Sequence, residues 1–298
     1  MEEFAVQIEN LVKFYHGRCI LDEINLNIPK GCIYGLLGRN GIGKTTLIRI
    51  LQGLEHPTRG TTSMLGCPST DIPPGVRGKI GYVAEGHNLI QSWKVSRLVN
   101  LCRKLSLQWN QPFFESLVQR FRLPMDRKVK ELSTGMRAEL NLALAMAIEP
   151  DLLILDDPTL GLDTVARRQF LELAIEMFQR DNRTILFSSH ILSDVERIAD
   201  RIGILAGGKL VVDCPLDQLK ERITKLRLIF PDNPPERLHI TEVVSTQTEG
   251  REMILTLANL DGTKQEIINS FKPQSCTTIP MSLEDIFIEC TKPAIKNP

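Results

Sequence analysis

Hydrophobic and polar positions divide the chain into segments of two kinds. Residues 24–28 (INLNI) alternate apolar and polar side chains, and residues 5–8 follow a similar pattern, which predicts strands with one exposed face. Residues 32–37 (CIYGLL) and 152–155 (LLIL) are apolar throughout, as strands buried on both faces are. The pattern therefore predicts a half-exposed sheet beside the buried strands of a larger core.

The middle of the chain has the periodicity of helices. Apolar side chains recur at helical spacing from about residue 93 to residue 148. From residue 152 to residue 212, strand-like and helix-like runs alternate. Such alternation predicts a parallel sheet with helices on its faces, and the helical middle is interpreted as an insertion into that core. Helices are predicted within the insertion at residues 95–107, 112–121 and 136–148.

The pattern changes after about residue 216. A Pro-rich turn (PDNPP), two short strand-like runs (KLRLIF and MILTLA) and a helix-like segment (MSLEDIFIEC) occupy the remainder. These short elements predict a small α+β appendage. The predicted organisation is an α/β domain at residues 1–215, with the helical insertion at about 86–148, and a C-terminal accessory domain at residues 216–298.

Composition narrows the class of protein. The chain has 298 residues, of which 42% are hydrophobic and 24% charged, as in a globular protein with a substantial core. Lysine plus arginine and aspartate plus glutamate both total 36, so the formal net charge is zero. A global basic footprint is therefore missing, and no nucleic-acid partner is expected.

Other features of the sequence indicate a cytoplasmic protein. No run approaches the roughly 18 apolar residues of a membrane-spanning helix, and the acidic start MEEFAVQIEN is unlike a signal peptide. The cysteines number seven, an odd count, and no two have C-x-x-C spacing. We expect reduced thiols that mostly fill the core. Any role at a membrane is expected to act through a partner.

The segment after the first buried strand predicts a phosphate-binding loop. The sequence GRNGIGKT fits G-x-x-x-x-G-K-[ST] and is followed by a helical pattern. Glycines let successive backbone N–H groups point at a phosphate, and the helix turns its positive end toward the same anion. Lys44 can reach the β- and γ-phosphates, and the Thr45 hydroxyl can hold Mg²⁺. The predicted ATP-binding residues here are Gly38, Arg39, Asn40, Gly41, Ile42, Gly43, Lys44, Thr45 and Thr46.

A pair of carboxylates follows the second buried strand. Asp156 stands at the end of LLIL, where it can orient Mg²⁺ through its water shell. Asp157 comes next, where a base for an attacking water would lie, and Pro158 follows it. Adjacent acids on a turn often serve only solubility. In a chain with a phosphate loop they predict a metal ligand and a catalytic base.

Between these motifs, residues 132–137 read LSTGMR, and here the sequence resembles the ABC ATPases. Their signature motif most often reads L-S-G-G-Q. The matching residues are Ser133, Thr134, Gly135 and Met136. The resemblance covers residues 1 to about 215, and at least six motifs occur in the family's order.

The resemblance assigns roles to residues elsewhere in the chain. Tyr15 stands where the family has an aromatic ring that stacks on adenine, with Phe14 as the alternative. Glu85 stands in the loop that joins the core to the helical subdomain, where an oxygen ligand can reach Mg²⁺ and act in catalysis. His190 matches the histidine that contacts the γ-phosphate. The loop that crosses to the opposite subunit corresponds to Gly161, Leu162 and Asp163.

The family also implies a fold and a mechanism. The fold would be a RecA-like P-loop ATPase core with an antiparallel β-subdomain and an inserted helical subdomain. ATP and Mg²⁺ would lie between the phosphate loop of one subunit and the signature of a second ATPase subunit, identical or related. Hydrolysis would power separate membrane-spanning permease subunits from the cytoplasmic face of the membrane. The tail motif SLEDIFIE also resembles the ATPases of type-2 exporters, which favours export.

Departures from the family pattern leave alternatives open. Asp157 replaces the usual catalytic glutamate, Glu85 the usual glutamine, and Thr134 a glycine. The shorter reach of Asp157 predicts slow hydrolysis unless the backbone compensates, since a misplacement of about 1 Å can cost on the order of a hundredfold in rate. The alternatives are a non-hydrolysing regulatory subunit, an importer, and a soluble ABC ATPase acting on ribosomes or DNA.

Overall fold

The computed structural model describes residues 3–87, 89–179, 183–235 and 240–291. The chain divides into two compact units, Met1–Asp213 and Cys214–Pro298, called the first and second units below. Each unit has its own cluster of buried hydrophobic side chains.

Strands and helices alternate along most of the first unit. The order agrees with the predicted α/β pattern. Its described elements are β1 (Phe4–Tyr15), β2 (Arg18–Pro29), β3 (Ile33–Leu37), α1 (Lys44–Leu51), β4 (Arg59–Met64), β5 (Cys67–Pro68), α2 (Pro74–Arg77), β6 (Ile80–Val83), α3 (Val95–Leu105), α4 (Gln111–Phe121), α5 (Thr134–Met146), β7 (Leu152–Asp156), α6 (Thr164–Gln179), β8 (Thr184–Ser189), α7 (Leu192–Ile198), β9 (Arg201–Ala206) and β10 (Lys209–Pro215).

A mainly parallel sheet forms the core of the first unit. Among the described residues its strands lie in the order β10–β9–β3–β8–β7–β6. β3 pairs in parallel with β8 and β9, and β7 pairs in parallel with β6 and β8. Every residue of β3, β7 and β8 is buried, which explains their continuous apolar sequences. The predicted parallel core is confirmed.

Parallel pairing brings the functional segments together. Because β3, β7 and β8 run in the same direction, their carboxyl ends meet at one edge of the sheet. Gly38 follows β3, Asp157 follows β7 and His190 follows β8. Segments far apart in the chain therefore converge at that edge.

An antiparallel sheet completes the strands of the first unit. In the described part of the chain, its order is β2–β1–β4–β5. Ile24, Leu26 and Ile28 are buried while the asparagines between them are exposed, so the predicted alternation is confirmed. β4 reads RGTTSM and was not predicted, because its sequence has little apolar periodicity. Its backbone pairs with β1 in the sheet.

The helical middle of the chain contains α3, α4 and α5, at the three predicted positions. α5 begins earlier than its apolar pattern does, because the Ser133 side chain caps its first turn. Among the described residues, no helix is both long and apolar enough to cross a membrane.

The second unit is a small α+β structure. In the described residues its antiparallel sheet has the order β12–β13–β11–β14, and the core includes Leu226, Leu228, Leu255 and Leu257. The polar strands β12 and β14 were not predicted, because they offer no apolar alternation. Its described elements are α8 (Leu216–Arg222), β11 (Ile223–Ile229), β12 (Val243–Glu249), β13 (Glu252–Ala258), α9 (Gly262–Ser270), β14 (Ser275–Ile279) and α10 (Leu283–Thr291).

The cysteines correct one expectation. All seven are free thiols, as predicted. Only Cys214 is buried, however, while Cys19 and Cys276 are exposed and the others are half-buried. The expectation that they mostly fill the core was wrong, because several stand at strand or helix positions that face outward.

Candidate nucleotide-binding site

The loop between β3 and α1 is shaped by its glycines. Gly41 has φ 75° and Gly43 has φ 120°, values that other residues rarely adopt. A Cβ atom on Gly43 would also lie 2.9 Å from Cδ2 of Leu21. The loop therefore needs glycine at position 43, where α1 begins.

The first lysine of α1 turns back over this loop. The Lys44 ammonium donates a hydrogen bond to the Gly38 carbonyl at 2.9 Å, and the residue is only 4% exposed. Burial of a cation requires nearby acceptors or anions. Lys44 is thus a fixed positive charge at the carboxyl edge of the sheet.

The pairing of strands β7 and β8 connects the two acids, Asp156 and Asp157, to the loop before α1. Their register places Asp156 opposite Ser188. The Ser188 hydroxyl donates to Asp156 Oδ1 at 2.7 Å and accepts the backbone N–H of Asp157 at 3.0 Å. Thr45 donates its hydroxyl to the same Asp156 oxygen at 3.3 Å. One serine therefore orients both acids, and Asp156 reaches the start of α1.

Asp156 has the features of a cation ligand. Its side chain is fully buried, and Oδ2 has no hydrogen-bond partner in the described part of the chain. Burial raises the pKa of Asp156 above its ordinary value, and the carboxylates of Asp157 and Glu85 add to the increase. A buried carboxylate with one unpartnered oxygen, beside a threonine hydroxyl, suits a hard divalent cation.

Asp157 lies between a histidine and the loop lysine. Its Oδ1 is 2.8 Å from His190 Nδ1, and its Oδ2 is 3.5 Å from Lys44 Nζ. The backbone N–H of His190 also donates to Oδ1 at 3.3 Å. The residue has φ 41° and is 6% exposed. Asp157 is thus held in an unusual backbone conformation by contacts on both sides.

Lys44, Thr45 and Asp157 border a pocket of about 280 Å³, whereas Asp156 and His190 lie behind them and are not part of its described lining. Tyr15 lines it at the end of β1, with the Lys13 ammonium 4.7 Å from its ring centroid. Phe14, the alternative aromatic, is exposed and does not belong to the described lining. The lining residues are Tyr15, Ile20, Asn40, Gly41, Gly43, Lys44, Thr45, Thr46, Glu85 and Asp157.

The signature segment lies at the start of α5. Ser133 is the N-cap, and its hydroxyl accepts the Met136 N–H at 3.1 Å. Arg137 braces the turn by donating to the Leu132 carbonyl at 3.0 Å and to the Thr134 hydroxyl at 3.2 Å. In the part of the chain that the structure describes, none of these residues lines the 280 Å³ pocket.

The predicted crossing loop lies beside the signature of the same chain. A Cβ atom on Gly161 would be 3.4 Å from Cγ2 of Thr134, an ordinary contact distance. Asp163 begins the next helix by accepting the N–H groups of Val165 and Ala166, both at 2.9 Å. Leu162 is buried and anchors the loop.

Sequence reasoning missed two residues that organise the site. Ser188 orients both acids, as described above. Asp194 on α7 accepts the Thr159 hydroxyl at 3.4 Å and lies 3.8 Å from the Arg167 guanidinium, and burial raises its pKa. Asp194 therefore links the segment after Asp157 to the helix after His190. A serine two positions before a candidate histidine was visible in the sequence, but its role depends on strand register.

The site combines a loop shaped by glycines, a buried acid beside the threonine of that loop, and a parallel core. This combination defines a P-loop nucleotide-binding protein. Comparison with known proteins narrows the class. The family described as "ABC transporter" matches residues 21–160. ABC transporter ATP-binding protein YtrB of Bacillus subtilis is 31% identical over 95% of this chain and 97% of its own length.

A second relative and a solved structure indicate the same family. Nod factor export ATP-binding protein I of Neorhizobium galegae is 31% identical over 96% of this chain and 85% of its own length. The solved structure of an ATP binding subunit of an ABC transporter is 28% identical, with a TM-score of 0.65 over 73% of this chain and 92% of that one. The chain belongs to the family of ABC transporter ATP-binding proteins, and its fold is that of an ABC ATPase cassette.

Proposed function

We propose that the chain binds and hydrolyses ATP in the 280 Å³ pocket and so powers export through separate membrane-spanning permease subunits. The observation that carries this proposal is the convergence of the groups that phosphoryl transfer requires, at the carboxyl ends of three neighbouring strands. Positioning and charge neutralisation supply most of the catalysis in such reactions. The converging groups are Lys44, Thr45, Asp156, Asp157 and His190.

Each group has a chemical role in the proposed reaction. Lys44 neutralises charge on the β- and γ-phosphates. Asp157 accepts the proton of the attacking water, and His190, at 2.8 Å, orients that carboxylate and reaches toward the γ-phosphate. The backbone N–H groups of residues 38–46 surround the phosphates, and Tyr15 stacks on the base.

Mg²⁺ fits the same site. Thr45 and Asp156 would hold it, with Glu85 of the pocket lining as a further oxygen ligand. When bound, the ion neutralises charge that develops on the phosphates. The unpartnered Oδ2 of Asp156 supports this assignment.

The signature supports an ATP site shared between two subunits. Ser133 and Gly135 stand at a helix start, where hydroxyl and N–H donors favour an anion, yet they lie outside the described pocket lining of their own chain. A second ATPase subunit, identical or related, would supply them to the γ-phosphate. ATP then holds the dimer together, and the loop formed by Gly161, Leu162 and Asp163 crosses between the subunits.

Replacing Ser133 by arginine tests the shared site. We expect the variant to bind ATP as a monomer with wild-type affinity but not to dimerise with ATP, because the bulky cation displaces a donor that acts across the interface. Gel filtration with ATP and Mg²⁺, under conditions where hydrolysis is slow, measures the fraction of dimer. Ser270→Arg, at the end of α9, is a control that makes the same serine-to-arginine change elsewhere in the chain. A Ser133 variant that dimerises normally contradicts the arrangement.

Replacing Tyr15 by alanine tests the base-binding assignment. We expect ATP and GTP affinities to fall together, by roughly tenfold, because stacking contributes about 1–3 kcal/mol and tolerates either base. Nucleotide titration with both ligands measures the effect. Phe14→Ala is the matched control, since that ring is exposed and outside the described lining. A loss confined to one nucleotide would mean that base-specific hydrogen bonds dominate.

The direction of transport follows from the relatives. One relative is named for Nod factor export, and the C-terminal motif SLEDIFIE also favours export. We assign residues 1–215 to ATP binding and residues 216–298 to an accessory role. The loop around Glu85 would transmit the opening and closing of the dimer to the permease. The ATPase would thus work at the cytoplasmic face of the membrane, and isolation from membranes with a polytopic subunit bound tests this.

A further inference from the structure

A cavity of about 800 Å³ lies at the edge of the parallel sheet opposite the nucleotide pocket. Residues that immediately precede β6, β7 and β8 line it, so it stands at the amino ends of these strands. The nucleotide pocket, by contrast, is bordered by residues that follow the carboxyl ends of strands. We call this second site the amino-edge cavity.

Strand register places three charged residues in one row across this edge. The first residues of β6, β7 and β8 lie opposite one another in the sheet. The residues immediately before them, Lys79, Asp151 and Arg183, therefore follow one another along the edge. Two backbone hydrogen bonds fix the row. The Asp151 N–H donates to the Lys79 carbonyl at 2.8 Å, and the Thr184 N–H donates to the Asp151 carbonyl at 3.0 Å.

A further lysine joins the row from the end of β2. Lys30 lines the cavity, and the residue after it, Gly31, donates its backbone N–H to the buried Thr184 hydroxyl at 2.9 Å. The described lining therefore holds three cations, Lys30, Lys79 and Arg183, and one carboxylate. In a chain of zero net charge, this local excess of positive charge favours an anionic ligand.

The two lysines can turn toward a ligand because their ion pairs are exposed. Lys79 Nζ is 3.3 Å from Asp151 Oδ2, and both side chains are about half exposed. Lys30 Nζ is 2.6 Å from Glu3 Oε2, and these side chains are also well exposed. Ion pairs in such positions are weak, so either ammonium can exchange its carboxylate for an anionic group in the cavity at little cost.

Apolar side chains complete the lining. Leu65 and Val76 pack against the hydrophobic core of the first unit and, with Pro73, also line the cavity. Its volume exceeds that of the nucleotide pocket and falls within the range of roughly 300–1,000 Å³ that is typical of small-molecule sites. Apolar walls with a few convergent charged groups suit a molecule that carries an anionic group on an apolar body.

From this combination of charge, volume and apolar lining, we propose that the amino-edge cavity binds an amphipathic organic anion. Its phosphate or carboxylate group lies beside Lys30, Lys79 and Arg183. Its apolar body packs on Leu65 and Val76. The inference goes beyond the proposed function, since the cavity shares no described lining residue with the nucleotide pocket.

Octyl phosphate has the proposed chemistry, and titration calorimetry measures its binding. The full chain is first saturated with ADP and Mg²⁺, so that the phosphate loop is occupied. We expect octyl phosphate to bind at least about tenfold more tightly than inorganic phosphate, which lacks the apolar chain, or octyl glucoside, which lacks the charge. Equal affinity for octyl glucoside would overturn the inference. So would binding that occurs only without ADP, because the phosphate loop would then be the site.

Gly75→Phe fills the cavity and locates the binding site. Gly75 lines the cavity, and a Cβ atom on it would meet no atom within 4 Å, so a larger side chain enters without a clash. Gly262→Phe is the matched control, because a Cβ atom at this first residue of α9 also meets no atom within 4 Å. We expect Gly75→Phe to abolish octyl phosphate binding and the control to bind as wild type does. Wild-type affinity in the Gly75 variant would refute the site.

Neutralising the lysines tests the role of charge without changing the volume greatly. We expect the chain with Lys30→Gln and Lys79→Gln to bind octyl phosphate about tenfold more weakly than wild type. The control carries Lys104→Gln and Lys209→Gln, exposed lysines outside the described lining, and should bind normally. Undiminished binding by the first variant would contradict the inference.

Vesicle flotation distinguishes the two sources of such an anion. Wild type and Gly75→Phe are each mixed with phosphatidylcholine vesicles that contain phosphatidic acid. If wild type floats with them and the Gly75 variant does not, the ligand is a membrane lipid. If wild type binds octyl phosphate but does not float, the ligand is a free small molecule. The inference fails if neither octyl phosphate nor the vesicles bind wild type in a way that Gly75→Phe prevents.

Discussion

Lys44→Ala should reduce ATP turnover by at least about a hundredfold and weaken ATP binding. The ammonium is held at the loop by the Gly38 carbonyl, at 2.9 Å, and Lys44 is the one cation in the described lining of the pocket. Loss of a single preorganised donor to a reacting centre costs on the order of 10²–10³ in rate. Nucleotide titration and a phosphate-release assay measure the two effects.

Lys30→Ala is a suitable control for this variant. Lys30 is exposed and pairs with Glu3, so its removal changes the net charge equally without touching the pocket. We expect wild-type affinity and turnover from the control. Wild-type values from the Lys44 variant itself would refute the assignment of residues 38–46 as the phosphate loop.

Asp157→Asn should reduce hydrolysis by about 10²–10⁴-fold while ATP still binds, because an amide keeps the shape of the side chain but cannot accept the proton of water. The variant should therefore remain as an ATP-bound dimer in gel filtration. Affinity for ATP should hold or increase, since the substitution removes a negative charge 3.5 Å from the Lys44 ammonium. Single-turnover hydrolysis and titration together test both parts.

Asp157→Glu provides the matched control because it keeps a carboxylate and restores the residue common in the family. It should hydrolyse ATP much faster than the asparagine variant. If the asparagine variant turns over at the wild-type rate, Asp157 is not the base, and His190 or Glu85 must position the water. A wild-type rate near zero would instead favour the non-hydrolysing regulatory subunit.

Much of the fold could be predicted because its central strands are simple in sequence. The runs CIYGLL and LLIL are apolar at every position, and both are strands buried on both faces. The polar strand β4 could not be predicted, since Met64 is its only large apolar residue and its pairing with β1 is not encoded in its own sequence pattern. The same reason applies to β12 and β14 in the second unit.

The candidate site could likewise be predicted only in part. Local motifs predicted Lys44 and Asp156, and the family resemblance predicted His190, because loop and strand contexts are local properties of the sequence. Their contacts depend on which strands are neighbours, and no periodicity encodes that order. Ser188 acquires its place between the two acids only through the register of β7 with β8.

The uneven exposure of the cysteines has a practical consequence for spectroscopy. A thiolate is the form that reacts with maleimides, and burial raises the pKa of Cys32 to about 11 and raises that of Cys102 and Cys290 as well. Cys19 and Cys276 are the exposed thiols, and one lies in each unit. Brief labelling of the unaltered protein should therefore place donor and acceptor dyes on the two units, so that energy transfer follows their separation through the nucleotide cycle.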